Sequence, residues 1–379
     1  MKVLQTIAGF SAKSGGVSTC VYDLISAIRY QTGDVDLLTP QVSGSTDPLM
    51  GNEPWIKALP YDYISPYGFS RNLTRFLHQN KYDIYHTNGL WMHINHTTCS
   101  IARKKGKPYI ITPHGMLYPQ ALARSAWKKR LLLDLGFRKD IAEAAVIQAT
   151  CMDEFLYYRD LGFTNPVAII PNPVPHPTRS SKIETVRDKR RIGYLGRLHP
   201  RKRVKELIEA WLLLGCNVND AELIIMGVGE ESYERELHNL VRRKGLKNVI
   251  FTGFIQGEEK FEKLASLTAL CVPSDFENFG MIIPEALSAG TPVITSKGTP
   301  WQILNERKCG WWIDNDVATL SSAIQLAFSK TDMEIAEMGQ YGRILVEENF
   351  SDERVAKKML RLYGYISDGG KKPEFIYEK

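Results

Sequence analysis

Twice in succession, on either side of one proline-rich break, the sequence alternates short β-branched, apolar runs with longer segments of helical periodicity. That alternation narrows the fold sharply. Parallel strands need a crossover of a dozen or more residues between them, and a crossover helix buries its apolar stripe on the sheet it has just left. In the first half the pattern predicts strands at Val3–Ala8, Val35–Thr39, Asp83–Thr87, Tyr109–Thr112, Ala145–Ala149 and Val167–Ile170, with a helix at Val17–Tyr30. The stretch Pro171-Asn-Pro-Val-Pro-His-Pro177 and the polar run Thr178–Arg190 continue neither a helix nor a central strand, and read as a linker. Strands are then predicted at Arg191–Leu195, Glu222–Met226, Val249–Thr252, Ala269–Val272, Pro292–Thr295 and Gly310–Ile313. Helices follow at Ala318–Phe328, Met333–Val346 and Glu353–Tyr365. The expected architecture is α/β: two doubly wound parallel-sheet domains in tandem, with ligands at the carboxyl ends of the strands.

Composition removes several function classes. At 44% hydrophobic and 24% charged residues the chain is globular rather than disordered or fibrous. No apolar run approaches the roughly 18 residues that span a bilayer, and MKVLQTIAGF reads as a first strand rather than a signal peptide. Six scattered cysteines (Cys20, Cys99, Cys151, Cys216, Cys271, Cys309) show no metal-ligand spacing, so reduced thiols in a cytoplasmic protein are expected. Net charge is +6, but Ile101–Asp140 alone carries ten Lys/Arg against two Asp, which leaves the rest of the chain at −2. Such a basic segment suits an anionic partner.

Four motifs stand at predicted strand ends. Ser11–Ser18 (SAKSGGVS) joins the first strand to the first helix; Gly15 and Gly16 permit a tight turn that aims helix N–H groups at an anion, although a plain βα turn has the same look. It matches neither the dinucleotide fingerprint nor the P-loop. Tyr109–Met116 (YIITPHGM) delivers His114 at a strand end, where it can bond a sugar hydroxyl or serve as a structural partner. Gly193–Val204 (GYLGRLHPRKRV) places Arg197 and Lys202 on a loop before a helix, within reach of a diphosphate. The most specific motif, Pro273–Val293 (PSDFENFGMIIPEALSAGTPV), sets Glu277 on a loop, has Gly280 open a helix, and puts Glu285 in that helix's first turns. Carboxylates so placed accept paired hydrogen bonds from vicinal hydroxyls.

Together, SGGV, TPHGM, GRL-x3-K and the E-x7-E segment ENFGMIIPE resemble the retaining glycosyltransferases of GT-B fold, glycosyltransferase family 4, the "glycosyl transferases group 1". HGMLYPQAL and KGTPW look most like capsule, O-antigen and exopolysaccharide members. The resemblance implies an acceptor domain at 1–177, a donor domain at 178–352, and a terminal helix (about 353–379) that returns to the first. It implies that Arg197 and Lys202 bind the donor diphosphate, that Glu285 holds the ribose, and that Glu277 contacts the sugar. Asn278, Phe279, Gly280 and Met281 would line the sugar and phosphate. His114 would face the sugar, Gly15 and Gly16 the phosphates, and Asn172 would match the interdomain Asn. Arg203 and Pro173 depart from the family's usual glycines. The implied reaction retains anomeric configuration and needs no metal or other cofactor: the cations and helix N-termini answer the leaving charge. A covalent intermediate on Glu277 stays open beside front-face attack.

The implied donor is a nucleoside-diphosphate sugar, UDP favoured and GDP possible. The implied acceptor is a polyprenyl-diphosphate-linked or other bacterial surface glycan. A helix over Ala121–Asp140 puts Trp127, Leu131 and Leu135 on one stripe with basic residues spread around it, and reads either as a surface for anionic lipid at the inner face of the cytoplasmic membrane or as a solvated basic helix. A GT-B-fold nucleotide-sugar epimerase and a non-catalytic sugar-binding protein are the competing readings. Nucleic acid is not an expected partner, since no reading motif accompanies the basic residues.

Overall fold

The computed structural model describes residues 1–11, 15–41, 48–62, 67–174, 189–218 and 220–378. The middle of the first glycine-rich loop (12–14) and most of the expected linker (175–188) lie outside the described residues. The chain divides into two units: Met1–Pro173 with Asp352–Lys379, and Val174–Ser351.

The N-terminal unit is built on β1 (Lys2–Ile7), β2 (Asp34–Gln41), β3 (Ile56–Pro60), β4 (Ile84–Asn88), β5 (Tyr109–Thr112), β6 (Val146–Ala149) and β7 (Val167–Ile169). The last strand of the chain, β14 (Ile376–Tyr377), joins them. The sheet order is β14-β7-β6-β5-β4-β1-β2-β3. All pairings are parallel except β14 with β7. Both faces are apolar, and the pleat divides neighbours between them. Leu4, Tyr85, Ile111 and Ile147 enter one core, while Val3, Ile84, Ile110 and Val146 enter the other. The second core also takes Ile25 and Ile28 of the helix Gly16–Tyr30 and Met359 and Leu362 of the terminal helix Asp352–Asp368.

The C-terminal unit repeats the plan with β8 (Arg190–Leu195), β9 (Ala221–Met226), β10 (Val249–Gly253), β11 (Ala269–Val272), β12 (Val293–Ser296) and β13 (Gly310–Ile313). Their order is β10-β9-β8-β11-β12-β13, all parallel. Ile192, Leu223 and Ile294 pack on one side; Ile224, Leu270 and Val293 pack on the other.

Four elements differ from the sequence expectation. Strand β3 is a half-exposed edge strand ending in Pro60, and β14 has two residues, so neither gives a strong pattern. The helix expected over Ala121–Asp140 is broken into Pro119–Ala123, Ala126–Leu132, a π-turn at Leu133–Phe137, and Arg138–Ala142. The breaks fall where Ser125 (φ 55°) and Gly136 (φ 126°) leave helical space. The helix of the fourth motif begins at Ile282, not Gly280; Gly280 sits at φ 74° in the turn before it, with Met281 as the N-cap.

Candidate active site

In the C-terminal unit the winding reverses between β8 and β11, so the loops leaving those two strands diverge and open a crevice at their carboxyl ends. The loop after β8 carries exposed Arg197, whose carbonyl accepts from the Tyr194 hydroxyl at 2.9 Å. It then forms a 3-10 turn, Pro200–Lys202, capped by His199 Nδ1, which accepts from Arg201 N at 3.1 Å. Arg203 follows at φ 55°, a left-handed conformation that accounts for the glycine usual at this position. Its guanidinium compensates by pairing with Asp275 (3.2 Å) and Glu206 (3.5 Å).

The loop after β11 lies alongside. Asp275 N donates to Arg201 O at 2.9 Å, and the Arg201 guanidinium lies 4.6 Å from the centre of the Phe276 ring. Lys202 Nζ forms an ion pair with Glu277 Oε1, which also accepts from Ser274 Oγ at 2.7 Å. On its other side Glu277 N donates at 2.9 Å to the carbonyl of Gly298, which follows β12; a Cβ on Gly298 would lie 2.0 Å from Asp275 O, so glycine lets the loops after β11 and β12 close. Phe279 is buried and held by Trp301, whose indole Nε1 donates to its carbonyl at 2.5 Å. Asn278, Gly280 and Met281 are half-buried beside it. Glu285, 8% exposed, meets Lys260 Nζ at 2.8 Å. Lys260 belongs to the separate helix Gly257–Ala265, and no local pattern marks it.

In the N-terminal unit the motifs also fall at strand ends. Gly15 (φ 84°) is the N-cap of Gly16–Tyr30 and its carbonyl accepts from Ser18 N at 3.1 Å. His114 follows β5 in the left-handed region (φ 51°), as does Gly115 (φ 75°). His114 Nε2 bonds Asn88 Oδ1 at 3.1 Å, and burial lowers its pKa to about 4, so the ring is neutral near pH 7. The Glu154 carboxylate holds the turn from beneath, accepting from Gly115 N (2.5 Å), Thr150 N (2.8 Å) and Thr150 Oγ1 (3.0 Å). Burial pushes its pKa up, and those three donors pull the other way. Asn88, which ends β4 before Gly89, had a strand-end Asn-Gly signal; Glu154 had none. Asn172 is buried next to Pro173, the last residue before the unit boundary.

The structure thus brings Lys202 onto Glu277 and sets Arg197 on the same loop as Lys202. It gives Glu285 a cation of its own, and carries His114, Gly15, Gly16 and Asn172 on the other unit. Histidines 86, 93 and 96 are engaged structurally: His96 Nδ1 lies 2.6 Å from Asp140 Oδ2, and His93 Nε2 3.1 Å from Thr97 Oγ1. Among the described residues no group of three or more His, Cys, Asp or Glu is placed to hold a metal ion.

Two family descriptions match nearly end to end: "Glycosyl transferase 4-like domain" over residues 15–173 and "Glycosyl transferases group 1" over residues 177–362. A GDP-mannose-dependent alpha-mannosyltransferase of Corynebacterium glutamicum is 33% identical over 129 residues, 33% of this chain and 28% of that protein. A poly(ribitol-phosphate) alpha-N-acetylglucosaminyltransferase of Staphylococcus aureus is 27% identical over 176 residues, 45% of this chain and 35% of that protein. These matches therefore span about a third of each relative's length. Anabaena HepE, solved with UDP and glucose, has the same fold at TM-score 0.73 and 19% identity, covering 96% of this chain and 99% of that one. With both sheets wound in the same order and both halves matched, the chain belongs to the GT-B-fold glycosyltransferases of the family 4, "group 1" type.

Proposed function

We propose that this protein transfers a hexose from a nucleoside-diphosphate sugar to a hydroxyl of a growing bacterial surface glycan, with retention of anomeric configuration. The observation that carries the reading is the stitched pair of loops at the β8/β11 crevice. A phosphate-class cation, Lys202, and a hydroxyl-class carboxylate, Glu277, touch one another there, as adjacent groups on a diphospho-sugar require. Arg197 and Lys202 stabilise the departing diphosphate, which makes a metal unnecessary to the step. Glu285, steadied by Lys260, binds the ribose hydroxyls. Asn278, Phe279, Gly280 and Met281 form the wall beside the sugar, held by Trp301. The leaving phosphate takes the acceptor proton. Glu277 Oε1 already accepts from Lys202 and Ser274, which favours an orienting role over attack on the sugar.

UDP is favoured over GDP as the donor base, although two relatives are by name GDP-mannose-dependent. The basic segment of the N-terminal unit faces an anionic acceptor or lipid. Its stripe of Trp127, Leu131 and Leu135 is 68%, 50% and 65% exposed among Lys128, Arg130 and Arg138. Charge and apolar exposure together support docking of that surface on anionic membrane, at the inner face of the cytoplasmic bilayer.

Thermal unfolding against UDP, GDP, ADP and TDP, with Glu285→Ala alongside, tests the reading. A diphosphate at 100 times its Kd stabilises by about 2.7 kcal/mol. The expected result is selective stabilisation by one base that Glu285→Ala abolishes. No response to any diphosphate or its sugars, from a cooperatively melting protein, rejects the proposal.

A further inference from the structure

Beneath His114 runs a line of buried side chains whose hydrogen bonds have one permitted direction. The Ile170 carbonyl, an obligate acceptor, receives Gln148 Nε2 at 3.1 Å. Gln148 Oε1 must then face Thr112 Oγ1, which donates to it at 2.9 Å. With its one proton spent, Thr112 accepts from His86 Nε2 at 2.7 Å. His86 is fully buried and held neutral by desolvation, so its Nδ1 is a bare lone pair that accepts from the Tyr363 hydroxyl at 2.9 Å. Tyr363 in turn accepts from Gln5 Nε2 (2.9 Å), and Gln5 Oε1 accepts from Asn88 Nδ2 (2.9 Å). Asn88 Nδ2 also lies 3.4 Å from the Thr6 carbonyl, which opposes the flipped amide. Asn88 is left presenting Oδ1 to His114 Nε2 at 3.1 Å, and that nitrogen must carry the proton. His114 Nδ1 is then an acceptor; it is buried and has no hydrogen-bond partner among the described residues.

We propose that Asn88 is a positioning residue which, through this relay, fixes His114 in its Nε2–H form and so presents Nδ1 as an acceptor to a hydroxyl of the sugar substrate. The assignment of the hydroxyl to a sugar rests on the transfer reading above. The relay draws on β1, β4, β5 and β6 and on Tyr363 of the terminal helix. In this form the ring receives a proton contact from substrate and gives none, so His114 orients a hydroxyl rather than protonating a leaving group. The other titratable groups close to it are His86, within the relay, and Glu154, under Gly115.

Long-range 1H–15N correlation spectra of the full chain labelled at histidine read the tautomer directly, with His114 assigned from the signal missing in His114→Gln. The expected result at pH 7 is protonated Nε2 and bare Nδ1 at both His86 and His114. An Nδ1–H form, or an averaged pair, at His114 overturns the relay whatever the protein transfers. In Asn88→Ala the His114 signals should collapse to a tautomer mixture. In Asn88→Asp the carboxylate keeps the Nε2–H form but favours the imidazolium, so the acid limb of kcat should move up by about one pH unit. A folded Asn88→Asp whose kcat falls at every pH with the limb unmoved overturns the positioning role. The Nε2–H form in a protein that transfers no sugar supports the relay and overturns the reaction instead.

Discussion

Glu285 and Lys260 set a sharp question at the scale of single residues, because both are largely buried and 2.8 Å apart. In the proposed function Glu285 accepts two ribose hydroxyls and so gains from a cation that fixes its orientation, and a hydrogen bond to a charged group contributes about 1.5–3 kcal/mol. Lys260→Met keeps the stem and removes the charge. We expect it to weaken UDP binding about tenfold, near 1.4 kcal/mol, by isothermal titration. Tighter binding in the variant would show that Lys260 competes with the nucleotide for Glu285. His86 makes a second prediction. Its pKa is lowered from 6.5 to about 3, chiefly by desolvation, so the folded state resists a proton that the unfolded state accepts. The stability it contributes is complete above pH 6.5 and is lost as pH falls from there toward 3. At pH 5 the loss is about 2 kcal/mol from this residue alone. Urea midpoints from pH 8 to 5 should fall accordingly in the wild type, with a shallower fall in His86→Gln. Neither residue was marked by its own sequence: Lys260 is one charge on a charged helix, and His86 is one polar position in an apolar strand. Glu277, Glu285, Arg197, Lys202 and His114 were legible because strand-end glycines and prolines flank them.

Elements were legible where one periodicity governs a whole segment. The strands β5, β11 and β13 fall at Tyr109–Thr112, Ala269–Val272 and Gly310–Ile313, the same bounds that apolar runs and flanking turns mark in the sequence. Strand β3 was not, since its half-exposed residues show neither alternation nor a continuous apolar run. The basic segment fails for another reason. Its composition is helical throughout, but Gly136 turns at φ 126° beside His96, where a Cβ would stand 2.9 Å from the ring. The helix breaks there for tertiary packing that no local pattern records. The breaks leave Trp127, Leu131 and Leu135 exposed on short elements that bury little else. Exposure of three large apolar groups beside lysines gives the membrane reading its measurable form. In flotation assays the wild type should rise with vesicles containing anionic lipid and stay down with neutral ones. Trp127→Ser should reduce the floating fraction several-fold, since a membrane-facing indole contributes on the order of 2 kcal/mol. Binding independent of lipid charge, or unchanged in the variant, would remove the lipid assignment and leave a solvated basic surface.

At the scale of the whole molecule, one unit is made from two separate stretches of chain, and the second stretch is part of its core. Helix Asp352–Asp368 inserts Val355, Met359, Leu362 and Tyr363, all fully buried, into the core that also holds Val3, Ile25, Ile28 and Ile110. Each such side chain contributes about 1.5–3 kcal/mol when buried. The four together stand near 10 kcal/mol, comparable to the whole stability of a domain. Tyr363 also closes the hydrogen-bond relay, so its loss would leave Gln5 Nε2 and His86 Nδ1 without their relay partner in a buried interior. Ending the chain after Ser351 should therefore unfold the N-terminal unit, while the C-terminal unit, complete from Val174 to Ser351, stays folded. Circular dichroism would show about half the native signal lost, and amide exchange would place the loss in residues 1–173. UDP is the informative probe of what remains. If Arg197, Lys202 and Glu285 supply the donor site between them, the truncated chain binds UDP within about threefold of the full chain, a difference near 0.6 kcal/mol. If binding falls by a hundredfold or more with the C-terminal unit still folded, Arg197, Lys202 and Glu285 do not suffice for the donor site.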